Sequence, residues 1–210
     1  MATALVRAMT IDDAKIWRGA SRVVIGDSVT PPTFPTKIED ILSLTTMILI
    51  TGWTDLGATS DEGTDIERGQ DVDEGFAIDQ RDYNLRSGRV SGVSMKASQT
   101  LLYTDITTLK TIWEAGTLTT VAAVASVNVA QKRLAVGSPS ALTKRFVAIL
   151  QQNDSSGKMR VFVFRRGSFT ETGSLKVNAK DTSMIDSTIE FQPDPAQIDG
   201  TDFGVVIEET

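Results

Sequence analysis

The side chains that most often carry out chemistry near neutral pH are missing from this sequence. Its 210 residues include no histidine and no cysteine. That removes imidazole as general base or metal ligand, and thiolate as nucleophile or zinc ligand. It also excludes disulfides. Asp61/Glu62 and Asp73/Glu74 are adjacent carboxylate pairs of the kind a hydrolase could use as acid and base. Both pairs lie in a stretch with little apolar sequence to desolvate them and raise a pKa, so no catalytic residue is assigned. Asp71-Val72-Asp73-Glu74-Gly75 invites a calcium-loop reading, but counting from Asp71 the glycine falls at the fifth position and the twelfth is Asp82. That loop needs glycine sixth and a bidentate glutamate twelfth, so no metal ligand is assigned. No glycine-rich phosphate loop occurs, and no cofactor is expected. Lys144-Arg145 and Arg165-Arg166 could hold an anion; edge charges that snorkel, or ion pairs with a neighbouring copy, explain them more simply. Trp53 and Trp113 read as core or interface anchors.

The charge balance narrows the partners. A formal net charge of -6 argues against holding nucleic acid by phosphate neutralisation. The charge is also uneven. Residues 83–180 carry 14 Lys+Arg against 4 Asp+Glu, whereas 181–210 carry eight acids and no base. An acidic stretch, a basic middle and an acidic tail suit head-to-tail association of copies. The opening residues, Met1 to Arg7, lack the apolar region of a secretion signal, and the most apolar run, 41–50, is too short to span a bilayer. The expectation is a soluble protein made in a reducing cytoplasm, with no membrane partner.

Stepping through the chain places these residues on elements. Residues 1–37 read as an N-terminal arm, with a short apolar patch at Val23-Val24-Ile25 and then Pro31-Pro32-Thr33-Phe34-Pro35. Residues 38–210 read as one β domain. Within it, 41–52 predicts a buried strand. Residues 55–89 predict a long acidic loop or extended hairpin, because 55–82 hold ten acids against Arg68 and Arg81. Alternation predicts strands at 90–102, 174–180 and 185–192, and a last strand at 203–207. A short helix follows the first of these, capped by Thr104 or Asp105, with Ile106, Leu109, Ile112 and Trp113 as its stripe and Gly116 as its stop. Segment 121–136 reads two ways: Val121, Ala123, Ala125, Val127 and Val129 alternate as in a strand, the favoured reading, while its alanines suit a helix. Strands 144–152 and 158–166, joined by a turn at 153–157, are apolar on both faces and should be central. The fold class is mainly β: a β-sandwich or open barrel with one flanking α-helix and long extended loops.

The order of features resembles the major tail tube proteins of long-tailed, siphovirus-type bacteriophages. The passage Gly52-Trp53-Thr54-Asp55-Leu56-Gly57-Ala58-Thr59-Ser60-Asp61-Glu62-Gly63 is similar to one found there before a long acidic hairpin. Ile78-Asp79-Gln80 is like the close of that hairpin. The run 91–102 leading into a helix with Trp113-Glu114-Ala115-Gly116, and the closing Phe164-Arg165-Arg166 and Ser187-Thr188-Ile189-Glu190-Phe191, complete the likeness. Residues 1–37 match least. The resemblance implies a tail-tube fold related to contractile-tail and type VI secretion tubes. It implies hexameric rings stacked into a tube, with tape measure, tail terminator and initiator proteins as partners. DNA would pass through the lumen without specific binding, and the protein would reside in the virion tail with no enzymatic activity.

Two residue sets follow. Ile66, Val72, Phe76, Ile78 and Tyr83 are the sizeable anchors of the acidic segment, expected to order on a neighbouring subunit. A tube also needs one sheet face dry and one wet toward the channel. The strictly alternating strands then place Ser94, Lys96, Ser98, Lys176, Asp186, Thr188 and Glu190 on the lumen side. The alternative reading is a soluble ligand- or carbohydrate-binding β-sandwich module.

Overall fold

Three runs of apolar, mostly β-branched and aromatic residues set the centre of the molecule: Val23-Val24-Ile25, 146–150 and 161–164. The computed structural model describes residues 21–73, 77–78, 81–84, 89–102, 105–124, 129–137, 141–176, 184–198 and 200–210. The three runs form β1 (Ser21–Gly26), β8 (Arg145–Gln152) and the first half of β9 (Met159–Lys176). The other elements are β2 (Trp53–Asp73), β3 (Ala77–Ile78), β4 (Arg81–Asn84), β5 (Arg89–Leu101), α1 (Ile106–Ile112), β6 (Leu118–Val121), β7 (Gln131–Leu134), β10 (Met184–Phe191) and β11 (Gly204–Glu208). The fold is mainly β, with one α-helix among the described residues, as the sequence predicts.

Seven strands join in the order β10-β5-β2-β1-β8-β9-β11, and β10 also pairs with β9, so the sheet curls back toward itself as an open barrel. The long strands make this possible by changing partners. β2 pairs with β1 over 53–58 and with β5 over 64–73. Between them Thr59 lies opposite Leu101 and Thr64 opposite Gln99, so residues 60–63 form a wide bulge, with Gly63 at φ +78°. β9 pairs with β8 up to Gly167 and with β10 from Gly167 onward. A Cβ at Gly167 would sit 2.5 Å from Val147 Cγ2 and 3.0 Å from Ile189 Cγ2, so only glycine fits where the sheet turns.

Both faces of β1, β8 and the first half of β9 are covered. Inside the curl, Val23, Ile25, Val147, Ile149 and Phe164 meet Ile185, Ile189 and Phe191 of β10, with Ile112, Leu109 and Trp113 closing the space. Phe164 and Phe191 stack with centroids 3.7 Å apart. Outside, Val24, Ala148, Leu150, Val161 and Val163 are covered by Ile38, Ile41, Leu42 and Trp53. Burying each such aliphatic side chain contributes roughly 1.5–3 kcal/mol.

Several expectations change. Ser21–Gly26, assigned by sequence to an arm, is a central strand. Residues 41–52 are not a strand. A 3-10 turn at Ile38–Asp40 leads into a tight loop held by one Leu42–Leu49 bridge, with Met47 at φ 56°. This loop spends its apolar residues covering the sheet instead of joining it. Residues 53–73 form β2, the first arm of a long β2–β5 hairpin, so of the two readings given for the acidic segment this part takes the extended hairpin. Segment 121–136 takes in the end of β6 and all of β7, which pair as a separate two-stranded hairpin, and its residues 125–128 lie outside the described residues. The helix is capped by Asp105, whose carboxylate accepts from the Thr108 N–H at 2.6 Å. It stops at Glu114, at φ 46°, rather than at Gly116. Glu114 compensates by accepting from the Thr143 N–H at 2.9 Å. Of the strand expected at 174–180, residues to Lys176 belong to β9, and the rest lies outside the described residues.

Candidate functional site

The expected lumen residues converge on one surface. The second half of β2, β5, β10 and the second half of β9 form a four-stranded antiparallel portion of the sheet. Its inward positions are dry: Ala97, Gln99 and Leu101 of β5 alternate with Ile185, Ser187 and Ile189 of β10 as neighbours. Gln99 Nε2 donates there to Ser187 Oγ at 3.1 Å. The outward positions carry Ser94, Lys96 and Ser98 on β5 and Asp186, Thr188 and Glu190 on β10, all exposed or half-buried. Lys176 lies opposite Met184 in register, in step with this set.

Cross-strand pairing knits this face together. Lys96 lies between Glu67 and Glu190 in register. Its ammonium contacts the Glu67 carboxylate at 3.0 Å. That hydrogen bond and the charge of Glu67, with Glu171 adding to it, hold the Lys96 ammonium above its ordinary pKa. With side chains 51% and 62% exposed, the pair fixes orientation more than it stabilises the fold. Thr100 donates to Asp186 at 2.6 Å, and the Ser98 and Thr188 hydroxyls lie 3.4 Å apart. Among the described side chains this face holds six carboxylates, Asp65, Glu67, Asp71, Glu171, Asp186 and Glu190, against the single ammonium of Lys96. The sequence reading missed four of the six. Asp65, Glu67 and Asp71 were counted as loop acids, although their spacing of two and four is the signal of one strand face.

Both outer edges of this portion are open among the described residues. β1 leaves β2 at Ala58, so the edge of β2 from Thr64 onward has no neighbour. β8 leaves β9 at Gly167, so the edge from Ser168 onward has none either.

Of the five expected inter-subunit anchors, four fall on described strands. Ile66 points inward and packs on the core. Val72 is in β2 opposite Val90, Ile78 is in β3, and Tyr83 is in β4. Phe76 lies outside the described residues. The basic pairs are structural. The Arg165 guanidinium sits 3.6 Å over the Phe34 ring, and Arg166 donates to the Pro193 carbonyl. Arg145 is half-buried between Asp27 and Glu114, with burial depressing its pKa and the two acids opposing that.

Past Phe191 the sheet splits, and a cleft of about 680 Å³ opens between the β2–β5 hairpin and β9–β11. Ile66, Val93, Met95, Phe162, Phe203 and Val206 line it, with Arg68 and Asp202 among its charged groups. No sequence periodicity marks this cleft, because its walls come from strands about a hundred residues apart.

No protein-family model and no curated protein matches the chain. Among solved structures, it is similar to a chain of the PVC sheath-tube complex of an extracellular contractile injection system in the extended state. The identity is 12% and the TM-score 0.37, over 90% of this chain and 88% of that one. It is also similar to a chain of the sheath/tube terminator of the same system, at 12% identity and TM-score 0.36, over 99% of this chain and 100% of that one. Likeness at this level says nothing of function.

Proposed function

We propose that this chain is a structural subunit of a phage-type tail tube, whose copies pair edge to edge into hexameric rings that stack around a channel for DNA. The observation that carries this is the four-stranded portion with one dry face, one acid-rich wet face and two open edges. Its strands alternate in direction, and their number is even. The open edge of β9 in one copy therefore meets the open edge of β2 in the next in an antiparallel sense. Such heterologous pairing continues around a ring until it closes. Pairing of this kind also removes the aggregation liability of two exposed edges.

The wet face would then line the channel. A surface rich in carboxylates does not release counterions from DNA and lets the duplex slide. Ring number, tape measure, terminator and initiator partners, and residence in a virion tail come from the sequence resemblance described above. The role is structural, without catalysis or cofactor. Negative-stain microscopy of concentrated protein tests the reading: rings or tubes are the expected result. A monomer by sedimentation and microscopy at every concentration up to the solubility limit would overturn it.

A further inference from the structure

The β6–β7 hairpin is an unusual element for a protein standing alone. Among the described residues it pairs with no other strand, and its two strands are exposed on nearly all positions. Val121, Val124, Val129 and Val136 are 43%, 54%, 73% and 72% exposed. A lone two-stranded hairpin is marginal in water, and four exposed valines, one ending β6, two in the connecting segment and one just after β7, mark a contact surface. Its charges among the described residues are Lys132 and Arg133, with no acid.

The chain carries a matching surface elsewhere. β11 has an open outer edge among the described residues, with no lysine, proline or bulge to guard it. Val206 on that strand is 59% exposed and lines the apolar cleft. Asp202 lines the cleft, and Asp194 lies beside it, its N–H bonded to the Asp202 carbonyl.

The two surfaces lie at different ends of the barrel. The hairpin departs from α1 and rejoins the sheet at Arg145, where α1, Asp27, Thr54 and Arg145 border a common cavity. That is the end at which β1 finishes and β8 starts. The cleft lies toward the start of β9, where Arg160 faces Glu208 and the β2–β5 hairpin extends past β10. A copy therefore cannot fill its own cleft, but a second copy stacked end on end can.

We infer that the β6–β7 hairpin of one copy docks along the open edge of β11 in a second copy, with its valines in the cleft and Lys132 and Arg133 toward Asp202 and Asp194. This is strand addition to a sheet edge with side chains seated in an adjoining apolar groove. The contact is head-to-tail, so it propagates along an axis and does not close on a pair. It rests on the tube reading only in supplying the ring-to-ring contact, which is distinct from the β2–β9 pairing within a ring.

The natural absence of cysteine gives a clean test. Full-length Val129→Cys and Val206→Cys proteins are mixed under mild oxidation and the disulfide-linked dimer is quantified. The control mixture is Val129→Cys with Val29→Cys, because Val29 is 85% exposed and borders the cavity at the hairpin's own end. The expected result is a cross-link yield at least about tenfold above control, and a ladder of oligomers from the double variant. Val206→Lys should raise the concentration needed for stacking at least about tenfold, a change of about 1.4 kcal/mol. A yield equal to the control overturns the inference, whether the cleft then proves empty or binds a small apolar ligand. Rings or tubes seen without the cross-link sink this contact and leave the tube reading standing. The cross-link without rings or tubes does the reverse.

Discussion

The acid-rich face gives the sharpest test of the channel assignment, through Asp186→Lys combined with Glu190→Lys. Asp186 loses the 2.6 Å bond from Thr100, which costs about 0.5–1.5 kcal/mol at most. Glu190 lies opposite Lys96, so a lysine there sets like charges across a strand pair, costing roughly 0.2–1 kcal/mol. Lys96 keeps Glu67 at 3.0 Å. The sum is about 1–2 kcal/mol, and a domain of this size loses about 2–4 °C per kcal/mol, so Tm should fall by about 2–8 °C with the fold intact. The face changes from six carboxylates and one ammonium to four and three among the described side chains. Assembled protein is then mixed with short labelled duplex DNA at a series of salt concentrations. The native protein should retain none. The variant should retain DNA with a log–log salt slope of roughly -0.9 for each phosphate engaged. The control is Glu39→Lys with Asp154→Lys, the same charge change at exposed positions off this face. Retention no greater than the control refutes the channel assignment. A folded variant that no longer assembles refutes it differently, by showing that the face is a subunit contact.

Two further perturbations test how the fold holds these surfaces. A Cβ at Gly204 would overlap the Val163 carbonyl oxygen, so Gly204→Ala should displace β11, lower Tm by a few °C through about 1–3 kcal/mol of overpacking, and abolish cross-linking at Val206. At Asp105, burial would raise the carboxyl pKa, but the Thr108 N–H and the Thr108 and Thr107 hydroxyls outweigh it and hold it below 3.8. A depressed carboxylate stabilises above its unfolded pKa and loses that contribution as pH falls through its folded one. Asp105→Ala should therefore cost about 1 kcal/mol at pH 7 and flatten the acid limb below pH 3.8, whereas Asp105→Asn should flatten it while keeping most of the cap. Urea titrations of the three proteins between about pH 2 and 7 read this directly; an Ala variant as stable as Asn would remove the cap from the account.

The parts of the fold legible in the sequence are those where burial alone writes the pattern. β5 and β10 alternate cleanly because one side is dry and the other wet, and β8 and the first half of β9 run apolar on both sides because both are covered. β1 escaped notice since a strand covered on both faces shows no alternation, and three apolar residues before a proline-rich stretch look like a docking patch. The sequence reading ends one strand at 166 and begins another at 174, whereas β9 runs on through Gly167, because a strand that changes partners loses its apolar pattern where the burial changes. The cleft was invisible for another reason: register, not composition, brings Ile66, Phe162 and Val206 together.

β2 is the most instructive element, because its composition argues against what it does. From Thr64 to Asp71 its outward positions are Asp65, Glu67, Gly69 and Asp71, and its inward ones are Ile66, Arg68 and Gln70. Such a strand buries little on either side and reads as a loop by any measure of apolar content. In the single chain it is held through the β5 ladder, with its other edge open among the described residues. An edge strand this polar gains little by packing, so the strongest force available to that edge is a second ladder of backbone hydrogen bonds. A carboxylate-lined outward face also discourages pairing with unrelated apolar strands. The acidic residues therefore do two jobs at once: they keep the face wet, and they leave the backbone edge as the only adhesive surface. That combination favours a partner supplying a complementary antiparallel edge, the contact proposed above for the second half of β9 in another copy.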